Sequence, residues 1–170
     1  YDSPVGTLTV VEVAEGPVVV EFATRAADFR WAERIRAHRN GTEVTFGGCE
    51  RTVAWLDAYF AGTPQPAPYP EHLARWLPPT PQQEAVWRAL AEIPLGETRS
   101  YDDIARRTGL HARMVGQLNG ANHLALWIPC HRVVGKSGAL VGYGGGLDRK
   151  RWLLAHEIRT TGLVLRPDLA

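Results

Sequence analysis

The first quarter of the chain contains two short apolar runs that are rich in β-branched residues. They extend from Leu8 to Glu12 and from Val18 to Phe22, and the segment Ala14-Glu15-Gly16-Pro17 separates them. Apolar runs of this length on either side of a Gly-Pro segment predict a β-hairpin.

Helical patterns and then prolines follow the hairpin. We predict one helix around Ala27 to Ala37 and another from Arg51 to Phe60. Apolar residues recur near helical spacing in the second of these, at Val53, Leu56 and Phe60. Four prolines lie between Gly62 and Pro70, and Leu77-Pro78-Pro79 forms a second break. These breaks predict an α/β domain over residues 1–76 and a second domain over residues 77–170.

Capping motifs mark helix starts in the second half. Thr80-Pro81-Gln82-Gln83 combines an N-cap threonine, a proline at the first helical position and a glutamine that completes a capping box. The helix that follows should stop at Pro94 and bury one face, formed by Val86, Leu90 and Ile93. Ser100-Tyr101-Asp102-Asp103 is a second capping motif.

Two short helices around a glycine come next. We predict them from Tyr101 to Arg107, ending at Gly109, and from Ala112 to Gly120, which is typical of a helix-turn-helix. An unrelated helical hairpin would give the same pattern. A β-hairpin predicted from Val133 to Tyr143 favours a winged version, and a last helix is predicted from Asp148 to Ile158.

The stretch Ile128 to Val134 carries the candidate chemistry. Pro129 disfavours helix at the residue before it, so we expect a strand that runs extended into Cys130, and no helix N-terminus at this thiol. A nucleophile, a titratable base and a cation then follow in order, as Cys130, His131 and Arg132, before a turn over Gly135 to Gly138. The alternative is an inert cysteine in a buried strand.

The composition is typical of a globular protein, and it excludes few classes of function. The chain has 170 residues and a net charge of +1, with no apolar run of membrane-spanning length. We expect no secretory leader. Residues 1–80 carry seven Arg and ten Asp or Glu, giving −3, whereas residues 81–170 carry twelve Arg or Lys and eight Asp or Glu, giving +4. The small basic excess of the second half suits a polyanion, and equally an ordinary solvated surface.

The two cysteines, Cys49 and Cys130, do not form a disulfide framework or a metal-ligand pattern. A single disulfide between them is the structural alternative, and it would suit a secreted protein. We expect Cys49 to be a structural or surface thiol.

The run Pro129-Cys130-His131-Arg132-Val133 resembles the active-site motif of the O6-alkylguanine-DNA alkyltransferases, also called methylated-DNA–protein-cysteine methyltransferases. The resemblance extends from about Pro81 to Glu157, and Asp2 to Leu8 is similar to the family's opening segment. It implies a ribonuclease-H-like α/β N-terminal domain and a C-terminal winged helix-turn-helix domain, mostly α with a short β wing.

The resemblance also implies a reaction, in which an alkyl group passes once and irreversibly from guanine O6, and less well from thymine O4, to Cys130. A thiol needs a neighbour to take its proton. The family supplies it through a water, His131 and Glu157, while Tyr101 donates a proton to the leaving base and Asn122 serves as a hinge. No cofactor and no metal are implied.

The implied partner is alkylated double-stranded DNA, approached from the minor groove with the damaged base flipped out. Arg113 would fill the gap, with Ala112 and Gly116 on the same helix. The substrate pocket would involve Val133, Tyr143, Gly144 and Gly145. The chain departs from the family pattern at Met114, Leu118 and Trp127, which bear on groove contact and on the room for bulky alkyl groups, and the N-terminal zinc-binding pattern of some members is absent.

We expect a monomer that does not bind membranes and, in a bacterium, lies in the cytoplasm in contact with the nucleoid. Two other functions remain as alternatives. A non-catalytic sensor of alkylated bases would bind the lesion without accepting the alkyl group, but such proteins lack the cysteine. A helix-turn-helix transcriptional regulator gives no reason for Cys130, His131 and Glu157 to occur together.

Overall fold

A three-stranded antiparallel sheet begins the chain in the computed structural model, which describes residues 1–23, 29–38 and 47–162. Its strands are β1 (Asp2–Ser3), β2 (Gly6–Val13) and β3 (Gly16–Phe22), in that spatial order. Leu8 of β2 pairs with Phe22 of β3, which confirms the predicted hairpin. The valines of β3 are fully buried, so this strand forms one wall of the core.

Three helices follow the sheet: α1 (Phe29–His38), α2 (Glu50–Phe60) and α3 (Leu73–Trp76). The helices predicted around Ala27 to Ala37 and from Arg51 to Phe60 are therefore present, although residues 27 and 28 lie outside the described residues.

Of the apolar residues noted at helical spacing in α2, only Leu56 is buried. Thr52, Trp55, Leu56 and Tyr59 are buried, whereas Val53 and Phe60 are only partly buried. The buried residues follow the i, i+3, i+4, i+7 spacing of a single helical face. The aromatic rings of Trp55 and Tyr59 lie on this buried face.

The second half contains α4 (Pro81–Ala91), α5 (Tyr101–Thr108) and α6 (Ala112–Gly120), which pack against one another. Both predicted capping boxes are formed, at Thr80 with Gln83 and at Ser100 with Asp103. Gly109 ends α5 in the left-handed conformation, with φ of 71°, that a residue with a side chain rarely adopts. The two helices around this turn confirm the predicted helical pair.

The strand that was predicted to run into the cysteine is absent. Cys130–Arg132 form a single turn of 3₁₀ helix that begins at Cys130, and only Val133–Val134 (β5) are extended. Consecutive side chains of a strand face opposite sides, whereas this turn lets both His131 and Arg132 reach one carboxylate, that of Glu157. The prediction that this thiol would not begin a helical turn was therefore wrong.

The predicted wing is also different. β5 pairs in parallel with β4 (Arg99–Ser100), and no second strand forms between residues 135 and 143 among the described residues. The turn itself is present, because the Gly135 amide donates to the carbonyl of Ala139 at 2.8 Å and the Gly138 amide donates to Gly135 at 2.9 Å.

A final helix, α7 (Leu147–Thr161), closes the fold and is longer than the predicted Asp148 to Ile158. One hydrophobic cluster contains buried residues from both sides of residue 76, including Leu56, Leu90 and Leu153. β3 also joins the segment before the cysteine, since the Val20 amide donates to His123 at 2.8 Å and the Ala125 amide donates back to Val20 at 2.7 Å. No helix in the described part of the chain is long and apolar enough to cross a membrane.

Candidate active site

A cavity of about 460 Å³ opens where β3, α5, α6 and the loop before α7 meet, and Cys130 forms part of its wall. This volume suits a small organic ligand such as a nucleobase. The predicted site residues on its lining are Tyr101, Ala112, Gly116, Asn122, Cys130, Tyr143, Gly144 and Gly145. The lining also contains residues that had not been predicted: Glu21 and Phe22 of β3, Asn119 and Gly120 of α6, and Ala125, Val141 and Gly142.

Two asparagine side chains hold the backbone around the cysteine. Asn122 donates through Nδ2 to the carbonyl of Ile128 at 2.8 Å and accepts the amide of Leu124 at 3.0 Å. Asn119, at the end of α6, donates to the carbonyl of Cys130 at 3.4 Å. The helix that carries Arg113 is thus tied directly to the nucleophile. Cys130 itself is buried, with only 5% of its surface exposed.

Glu157 of α7 is fully buried, and it is the centre of the hydrogen-bond network behind the cysteine. Its Oε1 atom accepts from Nε2 of His131 at 2.6 Å, from the Tyr59 hydroxyl at 2.8 Å and from Nη2 of Arg132 at 3.0 Å. Its Oε2 atom accepts from Nε of Arg132 at 2.8 Å and from the amide of Gly96 at 3.3 Å. Four residues from three separate segments therefore fix this carboxylate in one orientation.

These donors keep Glu157 ionised. Burial alone would raise the pKa of Glu157, but the charges and hydrogen bonds of His131 and Arg132 hold this pKa well below its usual value. Arg132 is equally constrained, since its Nη1 atom donates to the carbonyl of Ile93 at 2.6 Å. The motif residue that the sequence identified only as a cation is a structural counter-ion for the carboxylate.

His131 is oriented as a base. Because an ionised carboxylate can only accept, Nε2 of His131 must carry the proton that is donated to Glu157. Burial lowers the pKa of His131, which keeps the ring neutral near pH 7. The Nδ1 atom then carries the lone pair of the ring. It is buried and has no protein hydrogen-bond partner in the described residues. This arrangement can accept a proton at Nδ1 and stabilise the resulting charge through Glu157.

Tyr101 begins α5 and lines the cavity. Its hydroxyl donates to the carbonyl of Gly142 at 3.4 Å. Burial, together with the charge of a Cys130 thiolate, raises the pKa of Tyr101, so the phenol keeps its proton at neutral pH. A protonated phenol in this wall can donate to a bound base.

Gly145 lies between two aromatic rings. A Cβ atom at this position would be 2.8 Å from ring carbons of both Phe22 and Tyr143, far inside van der Waals contact. The two rings meet edge to face at 6.2 Å, and the guanidinium of Arg149 lies over Phe22 at 4.9 Å. Glycine is therefore required here so that the loop can approach β3.

Val133 does not line the cavity. Its side chain is fully buried in the core, and its carbonyl accepts a hydrogen bond from Nζ of Lys150 at 2.6 Å. Lys150 also donates to the carbonyl of Val141 at 3.0 Å, so it ties the strand after the cysteine to the loop that forms the cavity rim. Burial lowers the pKa of this lysine to about 8.

The remaining predicted residues lie outside the cavity. Arg113 and Met114 are exposed near the start of α6, in a position to meet a partner. Trp127 points away from the cavity, with its ring 4.8 Å from that of Trp55 and its Nε1–H donating to the carbonyl of Pro68 at 3.0 Å. Its size therefore does not restrict the cavity directly. Leu118 is partly buried against the core.

Sequence reasoning missed Tyr59, Asn119, Phe22 and Lys150. Phe22 and Tyr59 lie far from the motif in sequence, and no local pattern links either of them to it. Asn119 could have been noticed as a polar residue within the apolar spacing of α6.

Both cysteines are free thiols, which removes the disulfide alternative. Cys49 is half-buried and lies 3.8 Å from the carbonyl of Val10. In the described part of the chain, no group of three or more His, Cys, Asp or Glu side chains could hold a metal ion.

Comparison with known proteins gives consistent results. Residues 81–159 match the model of the family described as 6-O-methylguanine DNA methyltransferase, DNA binding domain. Methylated-DNA–protein-cysteine methyltransferase of Mycolicibacterium paratuberculosis is 44% identical, over 93% of this chain and 90% of that protein. The Mycobacterium leprae protein of the same name is 46% identical, with 94% and 93% covered. A crystal structure of Mycobacterium tuberculosis OGT in complex with DNA is similar with a TM-score of 0.69 and 34% identity, covering 94% of this chain and 92% of that one.

Proposed function

The chain belongs to the methylated-DNA–protein-cysteine methyltransferase family, and from this premise we propose that it repairs DNA by accepting the alkyl group of O6-alkylguanine on the sulfur of Cys130. Thymine alkylated at O4 is a poorer substrate of the same kind. The protein acts on duplex DNA, and each molecule reacts once, because the product is a thioether that no group in the cavity can cleave.

One observation carries this proposal. Cys130 forms part of the wall of a cavity large enough for a nucleobase. The next residue in the chain, His131, is paired with Glu157 in the protein interior. A non-catalytic sensor would need the cavity but not the nucleophile or the base. A transcriptional regulator would need neither the nucleophile nor the base.

The chemical step is a displacement at carbon. The proton of the Cys130 thiol passes through a water molecule to Nδ1 of His131, and Glu157 stabilises the imidazolium that forms. The thiolate attacks the alkyl carbon, an S–C bond forms, and the bond between that carbon and O6 breaks. The electron pair of the broken bond remains on the purine. The phenol of Tyr101 transfers a proton to the departing base, so the base leaves as neutral guanine. The proton held by His131 then passes through solvent to the phenolate, which restores both side chains.

The target atom is stacked inside duplex DNA, so the base must leave the helix to reach the cavity. Arg113 on the exposed start of α6 is suited to occupy the gap, and Ala112 and Gly116 let the duplex come close to that helix. We place the contact in the minor groove, where readout carries little sequence information. A repair protein benefits from that property, because lesions occur in any sequence.

The proposed organisation has two parts. Residues 1–76 form an α/β domain of the ribonuclease-H-like type, and residues 77–170 form a winged helix-turn-helix domain in which the wing is reduced to a turn. We propose that the protein works as a monomer in the bacterial cytoplasm. The pairing of α5 and α6 around Gly109 supports the helix-turn-helix part of this layout.

The decisive experiment is intact-protein mass spectrometry after incubation with a duplex oligonucleotide that contains one O6-methylguanine. We expect a mass gain of one methyl group per molecule, with no turnover when DNA is in excess. Peptide mapping should place the methyl group on Cys130. Cys130→Ala should show no gain, and Cys49→Ala, which removes the other free thiol, should react like the wild type.

Two results would overturn the proposal. Tight lesion binding without any mass gain would assign the protein as a sensor. Binding to one DNA sequence irrespective of damage would assign it as a regulator.

A further inference from the structure

Tyr59 links the N-terminal part of the chain to the acid-base pair. It lies near the end of α2, 98 residues before Glu157, and its hydroxyl donates to Oε1 of that carboxylate at 2.8 Å. The same oxygen accepts the proton of His131. The tyrosine lies outside the matched DNA-binding region of residues 81–159.

The position of Tyr59 is fixed at both ends. Its ring stacks on Trp55 at 5.6 Å and meets Phe60 edge to face at 5.2 Å, and only 1% of its surface is exposed. Its backbone carbonyl accepts from Nε2 of His156 at 2.8 Å. Two consecutive residues of α7, His156 and Glu157, therefore hold the carbonyl and the hydroxyl of one tyrosine. Such a contact can transmit the position of α2 to the carboxylate.

We infer that Tyr59 is a positioning residue for alkyl transfer. It holds Glu157 in the orientation that accepts the hydrogen bond of His131, and it weakens the interaction of this carboxylate with the imidazole N–H. This inference rests on the proposed function. It makes the N-terminal part of the chain a component of the active site.

A carboxylate oxygen shares its charge among the hydrogen-bond donors that contact it. A hydrogen bond from Tyr59 withdraws electron density from Oε1, so less is available to stabilise a positive imidazole. Burial raises the pKa of Tyr59 far above its usual value, and the charge of Glu157 adds to the effect, so the hydroxyl remains a donor at every working pH.

The other charged groups near His131 are Arg132, beside it in the chain, and Lys150, on α7 with Glu157; both disfavour the imidazolium. Removing the tyrosine hydroxyl leaves both cations in the protein, and Oε1 is then shared only between His131 and Nη2 of Arg132. Loss of the hydroxyl therefore leaves Glu157 as a stronger partner for protonated His131, and the pKa of His131 should rise.

The test compares Tyr59→Phe, which keeps the ring and its packing, with Tyr1→Phe. Tyr1 is the matched control, because its hydroxyl also donates to a carboxylate involving α2, that of Asp57 at 2.7 Å, but on the surface. Single-turnover methyl transfer is measured from pH 5 to pH 9. The titration of His131 is followed separately by NMR of the ¹⁵N-labelled ring in the unreacted protein.

We expect Tyr59→Phe to lower the rate constant about tenfold, as for the loss of one hydrogen bond to a charged group. The acid limb of the pH profile and the NMR titration of His131 should both move to higher pH. Tyr1→Phe should match the wild type in both measurements.

An unchanged rate and an unchanged His131 titration in Tyr59→Phe would overturn the inference. So would equal losses in both variants without a shift in pH, because that result would indicate packing alone. If the wild type transferred no methyl group, the proposed function would fail, and the NMR titration would still decide whether Tyr59 tunes His131.

Discussion

Nε2 of His131 lies 2.6 Å from Oε1 of Glu157, and neither side chain has any exposed surface. A charged carboxylate in such a place is stable only because its donors replace the lost water. The bidentate hydrogen bonds of Arg132 reach both oxygens and bring a positive charge to the carboxylate. The catalytic pair and the stability of the core therefore depend on the same few hydrogen bonds.

We predict that Glu157→Gln will destabilise the protein and slow alkyl transfer. The substitution leaves the buried charge of Arg132 without its partner, which costs about 3–5 kcal/mol. Urea unfolding would measure the loss, and intact mass against time would measure the transfer rate. Glu84→Gln is the control, because it breaks an exposed pair with Arg88 whose contribution is no more than about 1 kcal/mol. Equal effects of the two substitutions would contradict the prediction.

A second prediction concerns the pH dependence of stability. Burial, aided by the charge of Arg34, lowers the pKa of His123 from 6.5 to about 4. Between these values the unfolded chain binds a proton at this residue and the folded protein does not. The stability due to the neutral ring is therefore fully present above pH 6.5 and is lost as the pH falls toward 4, by roughly 3 kcal/mol for this residue.

The measurement for His123 is the free energy of unfolding in urea at a series of pH values. His123→Asn should flatten the curve between pH 6.5 and 4, although the variant starts from a lower stability because the histidine ring packs against Trp31 and Trp87. A variant curve parallel to that of the wild type would show that other groups cause the acid loss.

A third prediction addresses the shape of the cavity. Gly145→Ala should reduce transfer, because the added methyl group meets the rings of Phe22 and Tyr143 at 2.8 Å and must push the loop away from β3. Phe22→Leu should partly restore the rate in the double variant, since the smaller side chain makes room. Transfer from O6-methylguanine and from O6-benzylguanine in DNA would be compared. Non-additive effects are expected because the residues are in contact, and additive effects would contradict the prediction.

A fourth prediction separates DNA engagement from chemistry. Arg113→Ala should slow transfer from O6-methylguanine in duplex DNA by about tenfold, because nothing then occupies the space of the flipped base. Transfer from free O6-benzylguanine should remain unchanged, since the cavity lining does not include Arg113. Arg106→Ala, an exposed arginine on the neighbouring helix, is the control for a general loss of positive charge. Equal slowing by both variants would indicate an electrostatic contribution only.

Local sequence was sufficient for most of the elements. The hairpin of β2 and β3, both capping boxes and the glycine after α5 were predicted correctly, because each depends on residues within a few positions of one another. The resemblance around Cys130 also pointed to Cys130, His131 and Glu157, and the structure brings the side chains of His131 and Glu157 into contact next to Cys130.

The tertiary structure decided the conformation at the cysteine and the contribution of the N-terminal part. Pro129 is compatible with an extended chain, and only the need for both His131 and Arg132 to reach Glu157 explains the 3₁₀ turn. Phe22 contacts Tyr143 and Tyr59 contacts Glu157, and each pair is separated by about a hundred residues in the chain. No sequence periodicity predicts such a contact. The sequence by itself determined the local elements and the residue types around Cys130. The packing of distant elements decided how these side chains are held, because a buried charge requires hydrogen-bond donors, and the fold brings these from segments far apart in the chain.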